Sequence, residues 1–124
     1  MSVDVVAVGA HPDDIELIAG GTLAGLVRRG KRVAVIDLTR GEMGTRGTPE
    51  ERAKEAGMAA EVLGLAERVN LDMGDGRLVN SAENRKLLIG ELRRLRTILV
   101  LAHHWVDLHP AHCVAGEMMK DCMY

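Results

Sequence analysis

Four short apolar runs alternate with four stretches of helical spacing. Val3–Val8 is a short apolar, β-branched run, the pattern of a strand buried on both faces. Gly9 permits a tight turn and Pro12 cannot donate to a ladder, so this strand ends near Ala10. From Asp14 the apolar residues Ile15, Ile18, Leu23, Leu26 and Val27 take up a helical period, and Gly30 is placed to cap it. Gly20-Gly21 inside that helix costs roughly 1 kcal/mol per glycine against alanine, which predicts close approach to the sheet or a neighbour.

Arg32–Leu38 reads as a second strand, followed by a Gly-rich polar loop from Thr39 to Gly47. Thr48-Pro49-Glu50-Glu51 predicts a helix start, with Thr as N-cap, Pro at the first helical position and Glu three residues after the cap. Ala53, Ala56, Ala60 and Leu63 form its apolar stripe, and Gly64 ends it. Arg68–Leu71 is a weak third strand, Asp75-Gly76 a turn signal, and Ser81 the cap of a third helix with Leu87, Leu88, Leu92 and Leu95 facing inward. Thr97–Leu101 is a fourth strand, and Pro110 opens a fourth helix that reaches the C-terminal residues without a Gly or Pro stop signal. That end leaves two expectations: the helix docks on something else, or the sequence is a piece of a longer protein.

Strand–helix alternation throughout predicts an α/β, Rossmann-like three-layer fold, a mainly parallel sheet flanked by helices and joined by right-handed crossovers. The 124 residues suffice for one domain spanning 1–124. A net charge of −2 argues against nucleic-acid or membrane-surface partners, which need a basic excess. No apolar run approaches the roughly 20 residues of a membrane span. The N-terminus lacks the basic segment of a signal peptide. Two cysteines, nine apart on one predicted helix, are too far apart to bridge and fit a reducing cytoplasm.

Chemistry concentrates at two places. The first strand runs into Ala10-His11-Pro12-Asp13-Asp14, and the fourth ends just before a segment holding His103, His104, His109 and His112. In a parallel sheet both strand ends lie on the carboxyl edge, where such folds place their ligands. If the first and fourth strands are neighbours, the two clusters face each other. His11, Asp14 and one of His109 or His112 would then make a three-ligand site for a divalent metal, with zinc favoured and a position left for water. The remaining histidine and Asp13 are free for proton transfer. Competing readings are simpler: the paired aspartates cap the first helix, His103 and His104 are loop polar groups, and Arg40, Glu42 and Arg46 form a solvated loop. Arg52 lies in the first turn of a helix, where the dipole disfavours cations, so its presence hints at use on an anionic substrate. The first turn does not fit the G-x-G-x-x-G dinucleotide fingerprint, and two carboxylates there would repel a pyrophosphate.

The stretch Ala10-His11-Pro12-Asp13-Asp14-Ile15-Glu16 resembles the AHPDD-x-E motif of the LmbE/PIG-L-type zinc N-deacetylases, and His109-Pro110-Ala111-His112 resembles their HPDH motif. Asp37–Gly44, Gly47–Arg52 and Asn70-Leu71 with Asp75-Gly76 are similar to the subgroup that includes bacillithiol-pathway deacetylases. The resemblance implies one zinc held by His11, Asp14 and His112, with Asp13 as general base. It implies His109 as the group that steadies the oxyanion and protonates the leaving amine. Arg52, with Glu42 and Arg46 on the preceding loop, is implied in substrate binding. The implied substrate is a small N-acetylglucosamine conjugate, such as N-acetylglucosaminyl-malate.

Two positions depart from the family pattern: Ala111 stands where Asp is usual, and Leu108 where Arg is usual. The missing carboxylate would normally orient the adjacent histidine, and Asp107 is the candidate substitute. Family members also run to about twice this length, so an exposed apolar flank and a homo-oligomer are expected. The rival readings are a metal-binding, catalytically weak remnant acting as an assembly module, and a two-metal phosphoester hydrolase.

Overall fold

The computed structural model describes residues 2–123. Its elements run β1 (Val5–Gly9), α1 (Asp14–Arg28), β2 (Val33–Asp37), α2 (Pro49–Leu63), β3 (Glu67–Asn70), α3 (Ala82–Leu95), β4 (Leu99–Ala102) and α4 (Pro110–Cys122). The four strands form one parallel sheet in the order β3-β2-β1-β4. The expected α/β fold is therefore present, and β1 and β4 are neighbours.

Side-chain alternation along the strands divides the core in two. Val5, Ala7, Val33 and Val35 pack with Ile15 and Leu23 of α1 on one face. Val6, Val8, Ala34 and Ile36 pack with Leu88 and Leu95 of α3 and with Met118 and Met119 of α4 on the other. Helices thus cover both faces, which is why the central strands read as unbroken apolar runs.

Register sets where the loops emerge. Val8 pairs with Ala102 and Gly9 with Asp37, so β1, β2 and β4 end level at the carboxyl edge. Leu38 and Thr39 continue the hydrogen bonding beyond β2, donating to Gly9 O and Ala10 O at 2.8 and 3.0 Å. The α2 start has the predicted form: Glu51 N–H donates to Thr48 Oγ1 at 3.1 Å, Thr48 N–H donates to Glu51 Oε2 at 3.4 Å, and Pro49 follows the cap. Gly64, at φ 74°, closes the helix in the left-handed region that glycine tolerates.

Several expectations differ. A Cβ added at Gly20 or Gly21 would meet nothing within 4 Å, so neither marks a close approach. Ile18 and Leu87 point to solvent. Each sits one row off the stripe that is packed, Ile15-Ala19-Leu23-Leu26 in α1 and Leu88-Leu92-Leu95 in α3. No residue of α2 is fully buried, and Ala53 of its stripe is exposed, because α2 lies over the edge strand β3. The first strand begins at Val5 rather than Val3, since Val3 N–H bonds Leu95 O at the end of α3.

Candidate active site

The β1–α1 turn and the β4–α4 loop meet at the carboxyl edge. His11 Nδ1 lies 3.1 Å from Asp14 Oδ2, and His112 Nε2 lies 3.2 Å from the same oxygen. This is a group of three metal-ligating side chains whose donor atoms all fall within 4.8 Å of one another. A tetrahedral zinc with bonds of about 2.0–2.1 Å spaces its ligands by about 3.3–3.4 Å. Two imidazole nitrogens and a carboxylate oxygen at these separations fit that ion.

Electrostatics favours the ligand forms of Asp14 and His112, while His11 holds its proton more tightly until a metal takes its place. Burial pushes the Asp14 carboxyl up, but contacts from His103 and His11 outweigh it and hold Asp14 well below the usual carboxylate range. Burial depresses His112, favouring the neutral ring that a metal needs. His11 is raised, chiefly by its hydrogen bond to Asp14, because it lies between two carboxylates: Nε2 is 3.0 Å from Asp75 Oδ1.

Asp13 stands apart from this cluster. It occupies the N-cap position of α1 but makes no side-chain capping bond, so capping does not account for it. Its φ of 120° is foreign to a residue with a Cβ and costs of order 1–3 kcal/mol. Arg52 holds the strained turn: its guanidinium donates to Gly41 O at 2.7 Å and Pro12 O at 2.9 Å, and lies 3.4 Å from Asp13 Oδ1. The Asp13 carboxyl is raised by burial, against the pull of Arg52. Asp13, Arg52 and Arg46 line an open cleft of about 490 Å³. Glu42 is exposed on the same loop.

His109 caps α4. Its Nδ1 accepts the Ala111 N–H at 3.1 Å, so Nε2 carries the ring proton and is the free donor. The ring centroid sits 4.9 Å from His11 and 4.7 Å from His112. Asp107 does not partner the His109 ring as expected. Its Oδ1 accepts the His109 backbone N–H at 2.8 Å and faces His112 Nδ1 at 3.5 Å. Ala111 offers no carboxylate, and Leu108 is fully exposed.

Sequence reasoning missed three features. His103, read as a loop polar group, has a side chain only 3% exposed and accepts the Ala10 N–H at 3.1 Å through Nε2. Asp75, read only as a turn residue, faces His11. Arg68 anchors a buried network, donating to both oxygens of Asp37 and both of Glu16. The acidic side chain two residues beyond Asp14 was the available signal for the last of these, and the glycines on either side of Asp75 for the second.

The fold and site define a Rossmann-like α/β protein with a His–Asp–His candidate metal centre at the sheet edge. The chain belongs to the PIG-L family: the family profile described as "PIG-L: GlcNAc-PI de-N-acetylase" matches residues 6–123. It is 34% identical over 124 residues to the diacetylchitobiose deacetylase of Thermococcus kodakarensis, an alignment covering 90% of this chain and 46% of that protein. Among solved structures it resembles the conserved protein TT1542 from Thermus thermophilus, at TM-score 0.92 and 46% identity over 97% of this chain and 55% of that one. It also resembles the N,N'-diacetylchitobiose deacetylase from Pyrococcus horikoshii, at TM-score 0.89 and 30% identity over 98% and 49%. The chain thus spans about half the length of these relatives. Among the described residues, no helix is long and apolar enough to cross a membrane.

Proposed function

We propose that this chain carries, in a single domain, the catalytic centre of a cytoplasmic, zinc-dependent N-deacetylase. It removes the acetyl group from an N-acetylglucosamine conjugate of small size, with N-acetylglucosaminyl-malate as the specific candidate. The observation that carries this reading is the convergence of His11 Nδ1, Asp14 Oδ2 and His112 Nε2, with a further carboxylate, Asp13, next in sequence and free of any capping bond. His11, Asp14 and His112 would hold one zinc ion. When bound, zinc lowers the pKa of water towards about 7 and polarises a carbonyl.

The remaining work falls to the chain's own residues. Asp13 takes the proton of the attacking water; its burial-raised carboxyl suits a base operating near neutrality better than an ordinary aspartate. The water oxygen bonds to the acetamide carbon. His109 Nε2–H, fixed in that tautomer by its capping bond, steadies the developing oxyanion. The C–N bond then breaks, His109 Nε2–H protonates the leaving nitrogen and is reprotonated by the proton that Asp13 took from water, and acetate and a free amine remain. Arg52 and Arg46 face the cleft beside Asp13 and grip an anionic substituent such as a malate carboxylate, with Glu42 meeting sugar hydroxyls.

The test is acetate release from an N-acetylglucosaminyl conjugate, with metal analysis on the same samples. Wild type is expected to hold one zinc and release acetate. Asp13→Ala is expected to keep zinc and lose turnover. Loss of both would make Asp13 a ligand instead, and no acetate from zinc-loaded wild type would overturn the activity.

A further inference from the structure

We propose that Asp75 is a positioning residue: it fixes the ring tautomer of His11 for metal binding and couples that ligand to the 39–47 loop. The inference rests on the reading of His11 as a ligand and extends it to a residue outside the three-ligand group.

Both carboxylate oxygens of Asp75 are committed. Oδ1 lies 3.0 Å from His11 Nε2, and Oδ2 accepts the Met43 N–H at 2.9 Å. The side chain is only 11% exposed. An ionised carboxylate only accepts hydrogen bonds, so the facing nitrogen of His11 must carry a proton. Nε2 is thereby occupied as a donor. Nδ1 faces Asp14 Oδ2 at 3.1 Å, the pair a metal ion would join, so Nδ1 is the nitrogen that would give up its proton to a metal while Asp75 keeps the other on Nε2. Without Asp75, either nitrogen could carry the proton and the ring could turn over.

The backbone is built to deliver this carboxylate. Gly74 and Gly76 flank it at φ 95° and 77°, both in the left-handed region. A Cβ on Gly76 would come within 3.1 Å of Met43 Cγ, so the turn is packed directly on the 39–47 loop. Leu71 and Met73 N–H groups donate to Asp37 O and Leu38 O, pinning the start of the Asp75 loop to the end of β2. Asp75 caps no helix; Ser81 does that for α3. Its two bonds instead join a metal ligand to the loop that bears Glu42 and Arg46.

The experiment compares wild type, Asp75→Asn and Asp75→Ala by Co²⁺ titration followed through the d–d absorption, with competition by zinc. A long-range ¹H–¹⁵N spectrum of the zinc-loaded proteins reads the His11 tautomer. Wild type should show His11 protonated on Nε2. Metal affinity should fall about 10–100-fold in Asp75→Ala. Asp75→Asn, which keeps the size and one acceptor, should retain the tautomer and bind metal with affinity between the two. Circular dichroism checks that each variant is folded, and Asp75→Asn alone still decides the matter if Asp75→Ala is not. Unchanged affinity and unchanged tautomer in a folded variant would overturn the role of Asp75. Failure of wild type to bind Co²⁺ or zinc would overturn the metal centre itself, and this inference with it.

Discussion

Arg68 and Asp37 meet in a two-toothed ion pair inside the protein, Nε to Oδ2 at 2.8 Å and Nη2 to Oδ1 at 3.0 Å, with side chains only 8% and 2% exposed. The other side of the same guanidinium grips Glu16 at 2.9 and 3.1 Å. One residue of β3 therefore ties the end of β2 to the first turn of α1, directly behind the His11–Asp14 turn.

Removing that guanidinium strands a buried carboxylate. Arg68→Met is expected to cost about 3–5 kcal/mol, the range for breaking one side of a buried pair, read by urea denaturation at pH 7. The deficit has a definite pH dependence. Burial already raises the Asp37 carboxyl above its ordinary value, while Arg68 pulls it down; without Arg68 the rise grows. A carboxyl raised by folding binds its proton more tightly in the native state. Its stabilising contribution is present below the unfolded pKa and is lost as pH rises through the folded one. The Arg68→Met deficit should therefore shrink on acidification from pH 7 towards pH 5. A deficit that grew instead would show that Asp37 does not carry the penalty.

Ala111 offers a gain rather than a loss. It is the second residue of α4, whose first turn carries no acidic side chain. Ala111→Asp places a carboxylate at the positive end of the helix dipole, worth about 0.5 kcal/mol, and beside the His109 ring that has no carboxylate partner. We expect a modest rise in Tm and a larger rise in kcat/KM for acetate release. An unchanged kcat/KM would mean that the Ala111 N–H bond to Nδ1 already suffices to orient His109.

Much of this arrangement was legible in the sequence, for local reasons. Strand runs such as Val33–Asp37 are buried on both faces, so composition alone marks them. The Thr48-Pro49-Glu51 cap is a short-range device whose every partner lies within four residues. The His11–Asp14 cluster announced itself by crowding, and parallel topology then carried the His109–His112 turn to it; the choice of His112 came from the family resemblance. What stayed hidden was long-range pairing. Nothing local marks His103 as an acceptor for Ala10, 93 residues away, or Asp75 as the partner of His11, 64 residues away. The split between packed and exposed leucines in α3 was equally opaque, since Leu87 and Leu88 differ only in which row the sheet meets.

The outer side of β4 is the apolar flank expected from the pattern. Ile98 and Leu99 at its start and Trp105 and Val106 in the loop beyond its end are exposed, and Trp105 lines a groove of about 420 Å³ between β4 and α4. An edge strand beside exposed apolar side chains invites pairing with another chain. We expect the purified 124-residue chain to self-associate at micromolar concentration in light scattering, and Ile98→Lys with Val106→Lys to shift it towards monomer. A clean monomer for the unmodified chain would refute this.

Metal removal separates the ligands from the base by stability alone, without any substrate. A ligand that binds only the native state at 100 times its Kd adds about 2.7 kcal/mol, which for a chain of this size raises Tm by roughly 10 °C. Zinc should produce that shift in wild type, and a chelator should reverse it. His112→Ala removes one of the three converging ligands, His11, Asp14 and His112, and should abolish the shift. Asp13→Ala should retain it, because Asp13 is not one of the three side chains whose ligand atoms converge. Backbone strain supplies a control that leaves the ligands untouched: a φ of 120° penalises any side chain, so Asp13→Gly relieves it and is expected to raise the metal-free Tm. A zinc shift lost equally in Asp13→Ala and His112→Ala would place both residues in the coordination sphere and reassign the base.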